Sequence, residues 1–190
     1  MYFLLIVALY VFFNAVTTFV ISPLQSVLLP EVTIFASLVY LPHGVRVLAT
    51  WAYGWKAILP LFVGGSISSW VFRSSSDLAF LEPGLIGGLV VGAVAAFLAF
   101  ELARLFGFNL YFGSERKLKW RGMIVIGAVS SLLNSAGQTL AYSGLIQFAH
   151  FTLVPIVFVI GDLIGLITCM VALMFVFRWT RETAATESDG

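Results

Sequence analysis

Charge is what this chain has least of. Ten basic and nine acidic residues in 190 leave 10% of the sequence charged, where a soluble domain of this size carries about a quarter. The net charge of +1 gives a nucleic-acid partner no electrostatic support. Cysteine is reduced to Cys169, which lies in an apolar run, can form no intrachain disulfide and carries no information about compartment. The chain contains no HExxH, CxxC, GxSxG or Gly-rich phosphate loop. With no catalytic set, the expectation is a protein that is not an enzyme and holds no metal or cofactor. The first residues lack a basic n-region, and no small-residue cleavage pattern precedes Pro23. That opening reads as a retained helix rather than a signal peptide.

What the chain has in abundance is apolar surface. Hydrophobic residues make up 61% of it, and the mean hydropathy is +1.04. These values describe an all-α, polytopic transmembrane helix bundle in a lipid bilayer, one domain over residues 1–180 with a short polar tail at 181–190. Spans are expected at 2–21, 26–41, 57–72, 84–106, 122–143 and 151–177, about six in all. The second and third are short for a bilayer that asks for about 20 residues. Pro30 either bends or starts the second. The tract 42–55 is too polar at His43 and Arg46 for a clear span, and reads as a loop, an interfacial helix or a re-entrant piece.

Basic residues set the expected orientation. Arg116, Lys117, Lys119 and Arg121 follow the fourth span, and Arg178 and Arg181 follow the sixth. Two spans separate the clusters, so they share a side, which the positive-inside rule makes cytoplasmic. Arg46 and Lys56 fall on that side, Asp77 and Glu82 on the other, and Arg73 is the exception. Both termini are then cytoplasmic. The tail reads as a disordered end or a linker stub. Trp51, Trp55, Trp70, Trp120 and Trp179 fall mostly where an interfacial aromatic belt is expected.

Asp162 is the most informative single residue. It is the lone charge in the apolar run before Arg178, and a carboxylate inside hydrocarbon is costly unless protonated, paired or facing a polar cavity. The fifth span carries a possible partner surface. Ser130, Asn134 and Gln138 are spaced i, i+4, i+8, with Ser131 and Ser135 beside them. They share one side of a helix that should face the protein interior. Matching depths suggest an Asp162–Gln138 or Asp162–Asn134 hydrogen bond. The cluster is either a polar clamp between helices or a ligand, ion or proton site.

His43 and Arg46 form a second candidate, able to bind lipid phosphate or an anionic ligand, against the plainer reading of a turn with a snorkelling arginine. Glu101 and Arg104 are spaced for a local ion pair. His150 sits on the opposite side from His43, as an interfacial histidine or a proton-responsive group. Gly84, Gly88 and Gly92, then Gly64 with Ser68, and Gly161 with Gly165 allow close helix approach. They serve either packing within the chain or docking to a partner.

Two tracts resemble the bacterial MASE1 family of membrane-associated sensor domains. One is Leu41-Pro-His-Gly-Val-Arg-Val-Leu-Ala-Thr-Trp-Ala-Tyr-Gly-Trp-Lys56 with Gly64-Gly65; the other is Gly161-Asp-Leu-Ile-Gly165. Pro42, Gly44, Gly54, Gly64, Gly161, Asp162 and Gly165 are the residues that correspond. The resemblance covers about a third of the chain. It implies an input module of the kind joined to histidine kinase or cyclic-di-nucleotide output domains. This chain departs from the usual eight spans and ends in a ten-residue tail. The expectation is therefore a shortened, stand-alone sensor or regulatory protein without its own output domain. It would bind a small ligand, or act in signal transduction through a separate signalling protein. The alternatives are a structural accessory subunit of a larger membrane complex and a small-solute or proton-coupled transporter. Asp162, Gln138, Asn134, Ser130, His43 and Arg46 are the candidate ligand-binding residues.

Overall fold

The structure, a computed structural model, describes residues 1–28, 37–72, 83–115, 118–141 and 153–188. Among these residues every regular element is helical. Helix α1 (Tyr2–Val16) runs through a π-helical turn (Thr17–Ile21) into α2 (Ser22–Leu28). Then follow α3 (Leu41–Tyr53), a 3-10 turn (Gly54–Ala57), α4 (Ile58–Phe72), α5 (Pro83–Leu105), α6 (Trp120–Ala141) and α7 (Leu153–Ser188). Five stretches among the described residues are long and apolar enough to cross a membrane, so this is a multi-pass helix bundle. Pro30, Arg73, Asp77, Glu82, Arg116, Lys117 and His150 lie outside the described residues.

One of those five stretches, Leu41–Phe72, folds as a hairpin. Tyr10 hydrogen-bonds Arg46 at 2.7 Å and also packs on Gly64, where an added Cβ would meet its Cβ at 3.0 Å. Residues 46 and 64 in one straight helix would stand about 27 Å apart, so the chain must reverse between them. It does so at Gly54, whose φ of +58° lies in the region that a glycine occupies without strain. Helix α3 therefore runs antiparallel to α1, and α4 returns alongside it. Six helical rods result, in agreement with a bundle of about six spans.

The second rod is not the one expected. The Leu38 amide donates to Gln25 Oε1 at 2.7 Å, so the chain at residue 38 is back beside α2. A span over 26–41 would have carried it across the membrane, and that placement is corrected to α3. The tract 42–55, left open between loop, interfacial and re-entrant forms, is a helix started by Pro42 in its first turn. Leu41 to Val47 are all buried, as are Ala49 and Thr50. At about 20 Å, α3 is too short for a 30 Å hydrocarbon layer. Such a piece is stable where protein rather than lipid surrounds it.

α3 is the wall shared by two cores. Val45 and Ala49 pack with Ile6, Tyr10, Leu61 and Ala93 from α1, α4 and α5. Val47 packs with Ala96, Phe100, Met123, Ile126 and Leu166 from α5, α6 and α7. Helices α5 and α6 are antiparallel, with Gly87 against Ala141 and Gly137 against Val91. Helices α6 and α7 are antiparallel too, with Gly127 against Leu166.

With that topology, Lys56, Arg104, Lys119, Arg121, Arg178 and Arg181 gather at the end of the bundle where Tyr2 stacks on Tyr53. Arg46 does not join them and lies inside the bundle. Trp55, Trp120 and Trp179 are exposed at the basic end, and Trp70 is exposed near the other. At the basic end the Tyr111 hydroxyl donates to Glu101 at 2.8 Å, a better contact than the 3.5 Å Arg104–Glu101 pair expected from spacing. Burial, reinforced by that carboxylate, pushes the Tyr111 phenol up from its ordinary value. The tail expected to be disordered instead continues α7 as helix to Ser188.

Candidate functional site

Close approach of backbone to backbone builds the first polar cluster. A Cβ at Gly161 would collide with the Ser37 carbonyl, and one at Gly165 with the Tyr40 carbonyl. A Cβ at Gly44 would meet Cys169 Sγ at 2.6 Å. The Tyr40 amide donates to the Gly161 carbonyl at 3.0 Å. These three glycines let α7 lie directly on the start of α3, which brings Asp162 to His43. The glycine pairs thus pack within the chain, and the polar residues beside them meet as a consequence.

The cluster is closed. Asp162, His43 and Ser131 are at most 1% exposed. Ser131 Oγ donates to Asp162 Oδ2 at 2.6 Å, and His43 Nδ1 stands 3.3 Å from the same oxygen. That contact suits an ion pair but not an aligned hydrogen bond, and Nδ1 has no hydrogen-bond partner among the described residues. His43 Nε2 lies 3.2 Å from the Gly127 carbonyl, which can only accept, so Nε2 carries a hydrogen. A bare Nδ1 facing a carboxylate oxygen would be repulsive. A proton on either group removes the repulsion and leaves the pair without net charge, as burial in a membrane favours.

This corrects the expected partner of Asp162. Gln138 and Asn134 do not reach it, because Gln138 lies two turns, about 10 Å, beyond Ser131 on α6. Gln138 Nε2 donates instead to the Gly88 carbonyl at 3.0 Å and lies 3.5 Å from Asn134 Oδ1. The stripe does face inward: Ser130 and Asn134 are buried and Gln138 is half-buried. The Ser130 hydroxyl has no partner among the described residues.

Three residues after His43, Arg46 leaves α3 about 60° short of a full turn and points into the other half of the bundle. Its guanidinium donates to Tyr10 Oη at 2.7 Å and lies over the rings of Tyr10 and Tyr40, 5.5 and 5.6 Å from their centroids. Gly92 makes room for it, since a Cβ there would meet Nη2 at 2.7 Å. Among the described residues no carboxylate pairs with it. Beside it opens a cleft of about 190 Å³ with Asn14, Ser69 and Gln138 in its walls. These come from the halves of α1, α4 and α6 remote from the basic end, so the cleft lies toward that remote end.

A larger groove, about 600 Å³, sits at the basic end among Tyr2, Phe3, Trp55, Phe62 and Val90, with Lys56 as its charged residue. Its walls are apolar apart from Lys56. It suits an acyl chain better than a recognition chemistry, despite its size.

The six expected residues therefore divide. His43 and Asp162 meet, Arg46 and Gln138 border the cleft, and Ser130 and Asn134 lie along α6 between the two. Tyr10, Tyr40 and Ser131 were missed as direct partners. Ser131 stood beside the recognised stripe, whereas nothing in sequence separates Tyr10 from other aromatics in an apolar helix. Comparison with protein-family models, curated proteins and solved structures returns no match.

Proposed function

We propose that this protein is a membrane-embedded sensor or regulator that binds a small ligand inside its helix bundle. The observation that carries the reading is the cleft at Arg46, a buried cation with room beside it and no carboxylate partner among the described residues. Buried charges are ordinarily paired, and an unpaired one next to space is equipped to pair with something that arrives. The Leu41–Lys56 and Gly161–Gly165 tracts support the same reading through their resemblance to MASE1 sensor domains. They supply the hairpin turn and the glycine contact that hold α3 in place. The positive-inside rule puts the basic end in the cytoplasm of a bacterial cell and the cleft toward the outside.

Native mass spectrometry of the full chain, released from mild detergent, tests this. A small molecule retained by the wild type and lost on Ser69→Phe, which narrows the cleft, is the expected result. Retention of nothing, with no small-molecule stabilisation in a thermal-shift screen, would sink it.

A second reading, an accessory subunit of a larger complex, draws on α7. Residues 171–176 are exposed on every face of that helix. A stoichiometric membrane protein that co-purifies, and is lost when Leu173 and Val176 become serine, would favour it.

A further inference from the structure

The proposed ligand-binding role leaves the chemistry of the ligand open, and the cleft narrows it. We propose that the Arg46 cleft takes a small organic monocarboxylate; the inference rests on the binding role above and deepens it.

Three observations converge. The first is charge. The nearest described carboxylate is Asp162, and its Oδ2 is already engaged by Ser131 and His43. Arg46 thus keeps a full positive charge in a nearly buried setting, 9% exposed. A guanidinium has five donors in a planar fork, and the one hydrogen bond seen, to Tyr10 Oη, uses a single one of them. That fork matches the two oxygens of a carboxylate.

The second is charge number. Among the described residues, Arg46 is the only Lys or Arg in the walls of the cleft. A single cation balances a monoanion and leaves a phosphate dianion half compensated in a low-dielectric site.

The third is size and polarity. A volume of about 190 Å³ exceeds the roughly 30 Å³ that one water occupies in the liquid, so a halide would leave most of the cleft empty. Leu85 and Leu89 from α5 give it an apolar wall, while Asn14, Ser69 and Gln138 line the remainder. A short carbon skeleton with its carboxylate on Arg46 satisfies both surfaces.

The experiment uses the full chain in lipid nanodiscs, with isothermal titration calorimetry and thermal unfolding as paired readouts. The probes are sodium butyrate, sodium lactate, inorganic phosphate, chloride and the neutral butyramide, at constant ionic strength. Butyrate or lactate should bind with a Kd below about 1 mM, at least about tenfold tighter than butyramide, phosphate or chloride. Arg46→Gln should weaken that binding at least about tenfold. Ser69→Phe, which leaves Arg46 in place, should abolish it, so the test survives if Arg46→Gln misfolds.

Equal binding of acid and amide, or binding led by phosphate or chloride, overturns the carboxylate assignment. So does the absence of any acid binding. If the acids fail while a neutral molecule is retained by the wild type and lost on Ser69→Phe, the carboxylate inference falls and the ligand-binding role stands. If nothing is retained and nothing binds, both fall.

Discussion

α3 carries two buried basic side chains three residues apart, and its two flanks treat them in opposite ways. On the side of α6 and α7, His43 meets Asp162, Ser131 and the Gly127 carbonyl in a cluster with no room to spare. On the side of α1 and α5, Arg46 has a phenol, two aromatic faces and a cleft, and no carboxylate among the described residues. Burial of a polar side chain is common to both. The difference is unmet bonding capacity next to space, which is why we propose ligand binding on the Arg46 side, whereas the His43 side closes as a clamp. The clamp in turn fixes the helix on which Arg46 stands.

The sharpest way to break this contrast is to separate α7 from α3. Gly165→Val should cost the most of any change considered, upwards of about 5 kcal/mol, because its added carbons meet the Tyr40 backbone, which has no rotamer with which to yield. Unfolding in graded denaturing detergent, with yield by size exclusion, measures it. Folding at wild-type stability would show that the glycine contact does not hold the clamp. Next comes the clamp itself. Asp162→Leu removes one partner of a buried pair and should cost about 3–5 kcal/mol. Asp162→Asn should cost clearly less, since an amide nitrogen in the place of Oδ2, the oxygen that faces both partners, can donate one hydrogen to His43 Nδ1 and the other to Ser131 Oγ. Equal losses for the two substitutions would mean that volume rather than pairing matters at Asp162.

Much of this arrangement was legible in the sequence, and its failures have a common cause. Asp162 as a paired intramembrane acid and the inward face of Ser130, Asn134 and Gln138 followed from the cost of polar groups in lipid, and the glycine pairs from the room that close helix approach needs. That cost does not depend on knowing the neighbours. The misplaced second span and the wrong Asp162 partner did depend on them. Hydropathy measures compatibility with lipid, and α3 touches protein on nearly every side, so His43, Arg46 and Thr50 lower its apparent fitness as a span without destabilising it. Depth matching along α6 could not choose between Ser131 and Gln138, since the choice was made by the glycines that set α7 against α3. The π-helical turn at Thr17–Ile21 also had no distinct sequence signal: Thr17 Oγ1 simply donates to the Phe13 carbonyl at 2.9 Å, as threonines do in regular helices.

On the open flank, effects on stability should be smaller, because those residues are not held for the fold alone. Arg46→Met removes a charge-assisted bond to Tyr10 and two cation–π contacts, but also removes the burden of an uncompensated buried charge. The terms oppose each other, and the net cost should be about 1 kcal/mol. A loss as large as that of Asp162→Leu would place Arg46 in the structural clamp and erase the distinction between the two sides of α3.

The finest discrimination lies at Gln138, which belongs to the stripe of α6 but borders the cleft. Its amide donates to the Gly88 carbonyl, an oxygen inside a helix that already has its own amide partner in α5. Gln138→Leu should therefore lower stability by only about 0.5–1 kcal/mol and leave the His43–Asp162 cluster intact, two turns away. Ligand affinity should respond more than stability, since the substitution replaces a polar wall of the cleft with an apolar one. A double-mutant cycle with Asp162→Asn separates the cases. Additivity within about 0.5 kcal/mol means that the clamp and the cleft are independent units sharing one helix. A larger coupling energy would mean that α6 couples the wall of the cleft to the His43–Asp162 cluster.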